Sequence, residues 1–267
     1  MTEKKEAAPP RPATTVLLLR PSKKGDAGSP LEVFMVVRHH AIDSFSGALV
    51  FPGGKTEAAD ADLAWSEHCA DWSNFDPDER TLRIAAIREA FEEAGILLVT
   101  GSGRLWETDA DVMAARVSVE RGERAFLDLV KALNVKLDLS ALTRFARWIT
   151  PVMMPKRFDT HFFLAVAPSD QLAICDGHET VDAEWVAPGD ALALAESGER
   201  TIIFPTRMNL KLLGESRDAE AAVNAARIRP DVTVTPWVEK RASGSVLVIP
   251  PDAGYGAVEE DLASVGA

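Results

Sequence analysis

The chain has 267 residues, 46% apolar and 26% charged, with a net charge of −12. Such a surplus of acid disfavours nucleic acid and anionic membranes as partners, and no apolar run approaches the ~18 residues of a membrane span. The two cysteines, Cys69 and Cys175, form no metal or redox motif, so a reducing cytoplasm is the expected compartment.

Residues 1–13, "MTEKKEAAPPRPA", read as a disordered tail. "TTVLLLRPS" then reads as a buried strand, and "LEVFMVVRHH" as a second one across the loop "KKGDAGSP". A short strand, "ALVF", runs into "PGGK", where two adjacent glycines let the backbone bend and approach a ligand. An insertion of about 61–80 carries Trp65 and Trp72. Asp76, Pro77 and Glu79 then predict a helix start with a capping box. Ile84, Ile87 and Phe91 repeat at helical spacing, and Gly95 fits the left-handed position past the helix end.

Further helices are expected near 109–118 and 121–134. "TRFARWITPV", "FDTHFFLAVAP" and "DAEWVAP" read as strands and "GDALALAES" as a short helix. Residues 205–227 are helical with a break near Gly214, and "VTVTPWVEK" with "GSVLVIP" suggests a terminal strand pair. Strands and helices mix without strict alternation, which favours a mixed sheet between helical layers. The expected organisation is a main domain over 14–200 and a helical and strand extension over 201–267. An exposed sheet edge would favour a homodimer.

One stretch carries chemistry. "REAFEEAGI" sets Glu89, Glu92 and Glu93 on one side of a helix, where positions i, i+3 and i+4 are neighbours. Repulsion between such charges at ~6 Å costs about 0.7 kcal/mol per pair in water and about 3 kcal/mol at a dielectric of ~20. Either water or a cation must relieve it.

Together these residues resemble the Nudix box. Its second half is complete from Arg88 to Ile96, with Ala90 smaller than usual; its first half is "GGKTEAAD", with Asp60 where the box has its first glutamate. Some 27 residues separate Asp60 from Arg88, where the plain box has seven, so the box is split. Glu57 or Asp62 are alternatives to Asp60. The runs "VVRHHAIDSFSGALVFPGG", "RIAAIREAFEEAGILL", "WITPVMMPKRFDTHFFL" and "FPTRMNLKLL" are similar to the split-box coenzyme A diphosphatase-like proteins of mammalian peroxisomes.

That resemblance implies an α/β/α sandwich around a mixed sheet and cleavage of a nucleoside-linked diphosphate. It implies Mg²⁺ or Mn²⁺ held by Glu89, Glu92, Glu93 and the carbonyl of Gly53. Arg88 would orient a neighbouring carboxylate. The general base would be Glu93 or, outside the box, Glu179, with Glu184 as a rival for the latter. Arg38, Lys55, Lys156 and Arg157 are candidate phosphate contacts. The expected substrate is coenzyme A or acyl-CoA. ADP-ribose, NADH or a dinucleoside polyphosphate is the alternative, and a non-catalytic nucleotide sensor is the reading from another class.

Overall fold

The structure is a computed structural model that describes residues 8–22, 31–38, 47–101, 110–169, 171, 180–242, 244–256 and 258–261. Strands β1 (Arg11–Pro21), β2 (Leu31–Arg38), β3 (Leu49–Val50), β4 (Gly53–Lys55) and the short β5 (Cys69–Ala70) precede helix α1 (Pro77–Ala94). Helices α2 (Ala110–Glu120) and α3 (Phe126–Leu133) follow, then β6 (Leu137–Asp138), β7 (Thr143–Ile149), β8 (Phe158–Val166) and β9 (Thr180–Val186). Helices α4 (Pro188–Glu196), α5 (Phe204–Leu213) and α6 (Ala219–Ile228) lead to β10 (Thr233–Val234), β11 (Trp237–Arg241), β12 (Gly244–Val248) and β13 (Glu259–Asp261).

Eight strands form one mixed sheet in the order β10-β7-β8-β1-β2-β3, with β4 added to β1 and β9 to β2. β1 runs parallel to β8 and β10 parallel to β7, while the other pairs are antiparallel. Because successive strand residues point to opposite faces, the continuous run in β1 splits. Val16 and Leu18 join one core with α1, α2 and α3. Leu17 and Leu19 join a second core with α4, α5 and α6. A strand buried on both faces must read as unbroken apolar sequence, which is why "VLLL" lacks alternation. The expected α/β/α sandwich is present.

Residues 11–13, expected to belong to a tail, instead open the sheet. β1 starts at Arg11, and Ala13 pairs with both Lys55 and Thr160. Proline tolerates this because Pro12 is near the strand start. The insertion folds as short 3-10 turns and β5 before running into α1 at Pro77. Trp65 locks it: the indole is buried, donates to the Ala59 carbonyl at 2.9 Å and packs on Phe126. The terminal strand pair exists as β11 and β12, joined by β13, but Thr233–Val234 leaves that group and extends the main sheet. The segment after residue 200 therefore supplies an edge strand and much of the second core, with Phe204, Met208, Leu213 and Leu247 buried.

Helix α1 forms as its ends dictate. Asp76 accepts from the Glu79 N–H at 2.9 Å, Pro77 occupies the first turn, and Gly95 closes the helix at φ 71°. The capping box is only half realised there, because the Glu79 carboxylate is taken by Arg83 and Arg144. A full capping box instead closes the turn Ala58–Ala61, between Glu57 and Asp60.

Candidate active site

Three elements converge at the C-terminal end of α1: the helix itself, β4, and the turn Ala58–Ala61. Arg88 stands at the centre, buried. Its Nε and Nη2 hold the Asp60 carboxylate, both at 3.1 Å. Nη1 donates to Glu89 at 2.8 Å and to Glu92 at 3.0 Å, and Nη2 also donates to the Lys55 carbonyl at 2.9 Å. A guanidinium has five N–H donors, and these contacts occupy all of them. Arg88 therefore positions the acids and the glycine-bearing strand. Burial works against its charge, but the Asp60 hydrogen bonds and the Glu89, Asp60 and Glu92 charges outweigh it and hold it protonated.

Asp60 is buried against Arg88 and also accepts the Glu57 N–H at 2.7 Å. Glu57 is exposed, and Asp62 is spent capping Ala64 at 2.8 Å. The glycines of "PGGK" are dictated by closeness. A Cβ on Gly53 would lie 2.7 Å from Thr15 Cα, and one on Gly54 would lie 2.7 Å from the Glu89 Cδ. Gly53 N–H donates to the Glu93 carboxylate at 3.0 Å, tying the bent strand to the helix.

Among the described residues, carboxylates outnumber cations here. Asp60, Glu89 and Glu92 surround one guanidinium, and Glu93 adds a fourth carboxylate beside Gly53. Burial pushes Glu92 up to about 8, with Arg88 opposing and the Glu89 and Glu57 charges adding to the rise. Among the described residues no three acidic, imidazole or thiol groups form a ready-made metal cage. The donor set is nevertheless carboxylate oxygen in a partly buried setting, which is the chemistry that hard divalent cations take.

The expected phosphate contacts are divided. Lys55 in β4 has an exposed side chain, and Lys156 is exposed in the β7–β8 turn. Arg157 donates to the Thr150 carbonyl at 3.0 Å and the Ala8 carbonyl at 2.9 Å, which fastens that turn to the start of β1. Ala13 pairs with Lys55 on one side and Thr160 on the other, so the turn and β4 share one end of the sheet. Arg38 ends β2, but its side chain and the whole of Glu179 lie outside the described residues. Glu184 sits on β9, 3.7 Å from Arg200. Asp159 is engaged by Arg147 at 2.7 Å.

Two supporting residues escape sequence reasoning. Arg116, buried in α2, donates to the Glu92 carbonyl at 2.9 Å and stands over Gly95. Gln171 clamps Leu97 by both its N–H and its carbonyl, at 2.9 and 3.0 Å. A lone arginine in the otherwise apolar stretch "VMAARVSV" was the available signal for the first.

Residues 68–212 match the family of the NUDT19 Nudix domain. The chain belongs to the Nudix hydrolases. It is 29% identical over 207 residues to the acyl-coenzyme A diphosphatase NUDT19 of Xenopus laevis, covering 61% of this chain and 54% of that protein. To the human protein of the same name it is 29% identical over 188 residues, covering 54% and 50%. The chain thus spans about half the length of these NUDT19 relatives. The crystal structure of a Nudix hydrolase from Alicyclobacillus acidocaldarius matches with a TM-score of 0.69 and 30% identity, covering 83% of this chain and 99% of that one. In this Nudix fold the split in the box is filled by the Trp65 turns, which bring Asp60 back to Arg88 across 28 positions of sequence.

Proposed function

We propose that this Nudix hydrolase cleaves the diphosphate of coenzyme A or acyl-CoA, giving 3′,5′-ADP and phosphopantetheine or its acyl form, with Mg²⁺ or Mn²⁺. The observation that carries the reading is the surplus of carboxylate around Arg88 beside the Gly53–Gly54 strand, in a chain similar to proteins named acyl-coenzyme A diphosphatases. Glu89, Glu92 and Glu93, with the Gly53 carbonyl, would hold the divalent ion. When bound, it neutralises diphosphate charge and lowers the pKa of attacking water.

The chain's own residues do the rest. Arg88 fixes Glu89 and Glu92 against the helix, so their carboxylates lose little freedom on binding. The Gly53 amide orients Glu93, the proposed general base, which takes the proton of the attacking water on its carboxylate. Glu179 is the second acid proposed for that role. Lys55, Lys156, Arg157 and Arg38 are proposed to bind the diphosphate as it closes onto the end of the sheet.

The test is a substrate panel. Purified protein is incubated with Mg²⁺ or Mn²⁺ and coenzyme A, an acyl-CoA, ADP-ribose, NADH or diadenosine tetraphosphate, with products separated by chromatography. The reading expects 3′,5′-ADP from coenzyme A or acyl-CoA and its loss in Glu92→Gln. Preferred turnover of another member would overturn the coenzyme A assignment. No metal-dependent turnover of any member would favour a nucleotide sensor.

A further inference from the structure

At the opposite end of α1 lies a cavity of about 380 Å³, within the ~300–1,000 Å³ of small-molecule sites. Its walls include Phe75, Arg83 of α1, Arg144 and Phe145 of β7, and Arg227 and Arg229 where α6 ends. It lies apart from the carboxylates. Arg83 and Glu92 are nine residues apart on one helix, about 13 Å at the helical rise. The α6 wall also falls beyond the residues 68–212 that match the Nudix family.

The charges of this cavity run opposite to those of the whole chain. Arg83 and Arg144 share the buried Glu79, and Arg144 also reaches Asp231 at 2.9 Å. Those two acids answer those two arginines. Among the described residues Arg227 and Arg229 are in excess of them, and the fields of Tyr255 and then of the exposed Glu215 reach Arg229. Arg229 places its guanidinium 5.1 Å over the Phe145 ring. A guanidinium fork matches the paired oxygens of a phosphate. A phosphate monoester brings close to two negative charges, which fits two surplus cations better than a carboxylate does.

We propose that this cavity is a second ligand site, binding a small phosphate monoester of mononucleotide type through Arg227 and Arg229. It is independent of which diphosphate the carboxylate site cleaves. The probe is AMP, titrated calorimetrically into the full chain in EDTA, with adenosine as control. Saturable binding is expected in wild type and in Glu92→Gln. At least a tenfold weaker affinity is expected in Arg229→Met, a smaller loss in exposed Arg227→Ala, and no binding of adenosine. Thermal midpoints report whether Arg229→Met remains folded, and Arg227→Ala carries the test if it does not. The proposal is overturned if wild type does not bind AMP, if adenosine binds equally, or if affinity falls in Glu92→Gln and holds in both arginine variants.

Discussion

The two ends of α1 use the same ion-pair chemistry with opposite surplus. At the start, one acid, Glu79, is held between Arg83 and Arg144. At the finish, one base, Arg88, is held among Asp60, Glu89 and Glu92. The helix dipole welcomes Asp78 and Glu79 in the first turn and disfavours Glu92 and Glu93 near the last, where no basic residue stands. Each misplaced charge costs on the order of 0.3–1 kcal/mol at an exposed helix end. The first arrangement is what a folded protein needs. The second works against folding, which fits a task beyond stability.

The largest separation of the two ends should come from Glu93→Gln. With the base role lost, turnover should fall by about 10²–10⁴. Its thermal midpoint should move little, because the amide can still accept from Gly53 N–H. Kinetics and melting on one preparation check this, and a matching Glu179→Gln shows which acid is the base. Activity intact in Glu93→Gln would move that role to Glu179.

Glu79→Gln should do the reverse. It leaves Arg83 buried without its carboxylate, a change worth about 3–5 kcal/mol in comparable buried pairs, and urea denaturation would read it. The pH dependence has a defined sign. Burial raises the Glu79 pKa, but the Arg144 and Arg83 contacts outweigh it and hold the carboxyl below 4.5 in the folded chain. Its stabilisation is therefore complete above about pH 4.5 and lost as pH falls through the lower folded value. Glu79→Gln should remove that part of the acid slope, and an unchanged slope would mean the ion pair is not formed in solution.

The difference between the ends also explains what the sequence discloses. The acidic end is legible because Arg88, Glu89, Glu92, Glu93 and Gly95 lie within one local pattern. The sandwich is legible because unbroken apolar runs mark β1 and β2 and helical apolar spacing marks α1. The basic end is not: Glu79 reads as a capping residue, while its partner Arg144 is 65 positions away. Likewise Gln171 reaches Leu97 over 74 positions. Thr233–Val234 reads as part of a terminal hairpin, and only its pairing with β7 reveals an edge strand. Long-range contacts of this kind leave no periodic trace in their own neighbourhood.

A smaller effect should separate the two glycines. Gly54→Ala drives a methyl into the Glu89 carboxylate, whereas Gly53→Ala drives one into the backbone at Thr15. A carboxylate can swing aside, so Gly54→Ala should fold and lose turnover by about 10², the scale of a ~1 Å misplacement. Backbone cannot, so Gly53→Ala should lose about 1–3 kcal/mol of stability, as overpacking does. Equal activity in Gly54→Ala would mean Glu89 is not held where turnover needs it.

The smallest effect sharpens the boundary of the site. Cys69 lies in β5, buried beneath the turns that close the split box. Burial pushes its thiol up to about 12, against a weaker opposing pull from Lys136. Only the thiolate attacks a disulfide reagent. In a Cys175→Ser background, DTNB at pH 8 should therefore leave the folded protein unlabelled and titrate one thiol after unfolding in guanidinium. Rapid labelling of the native protein would mean that the insertion opens readily. The Trp65 anchor would then be too weak to hold Asp60 against Arg88, and the carboxylate cluster would lose the support on which its geometry rests.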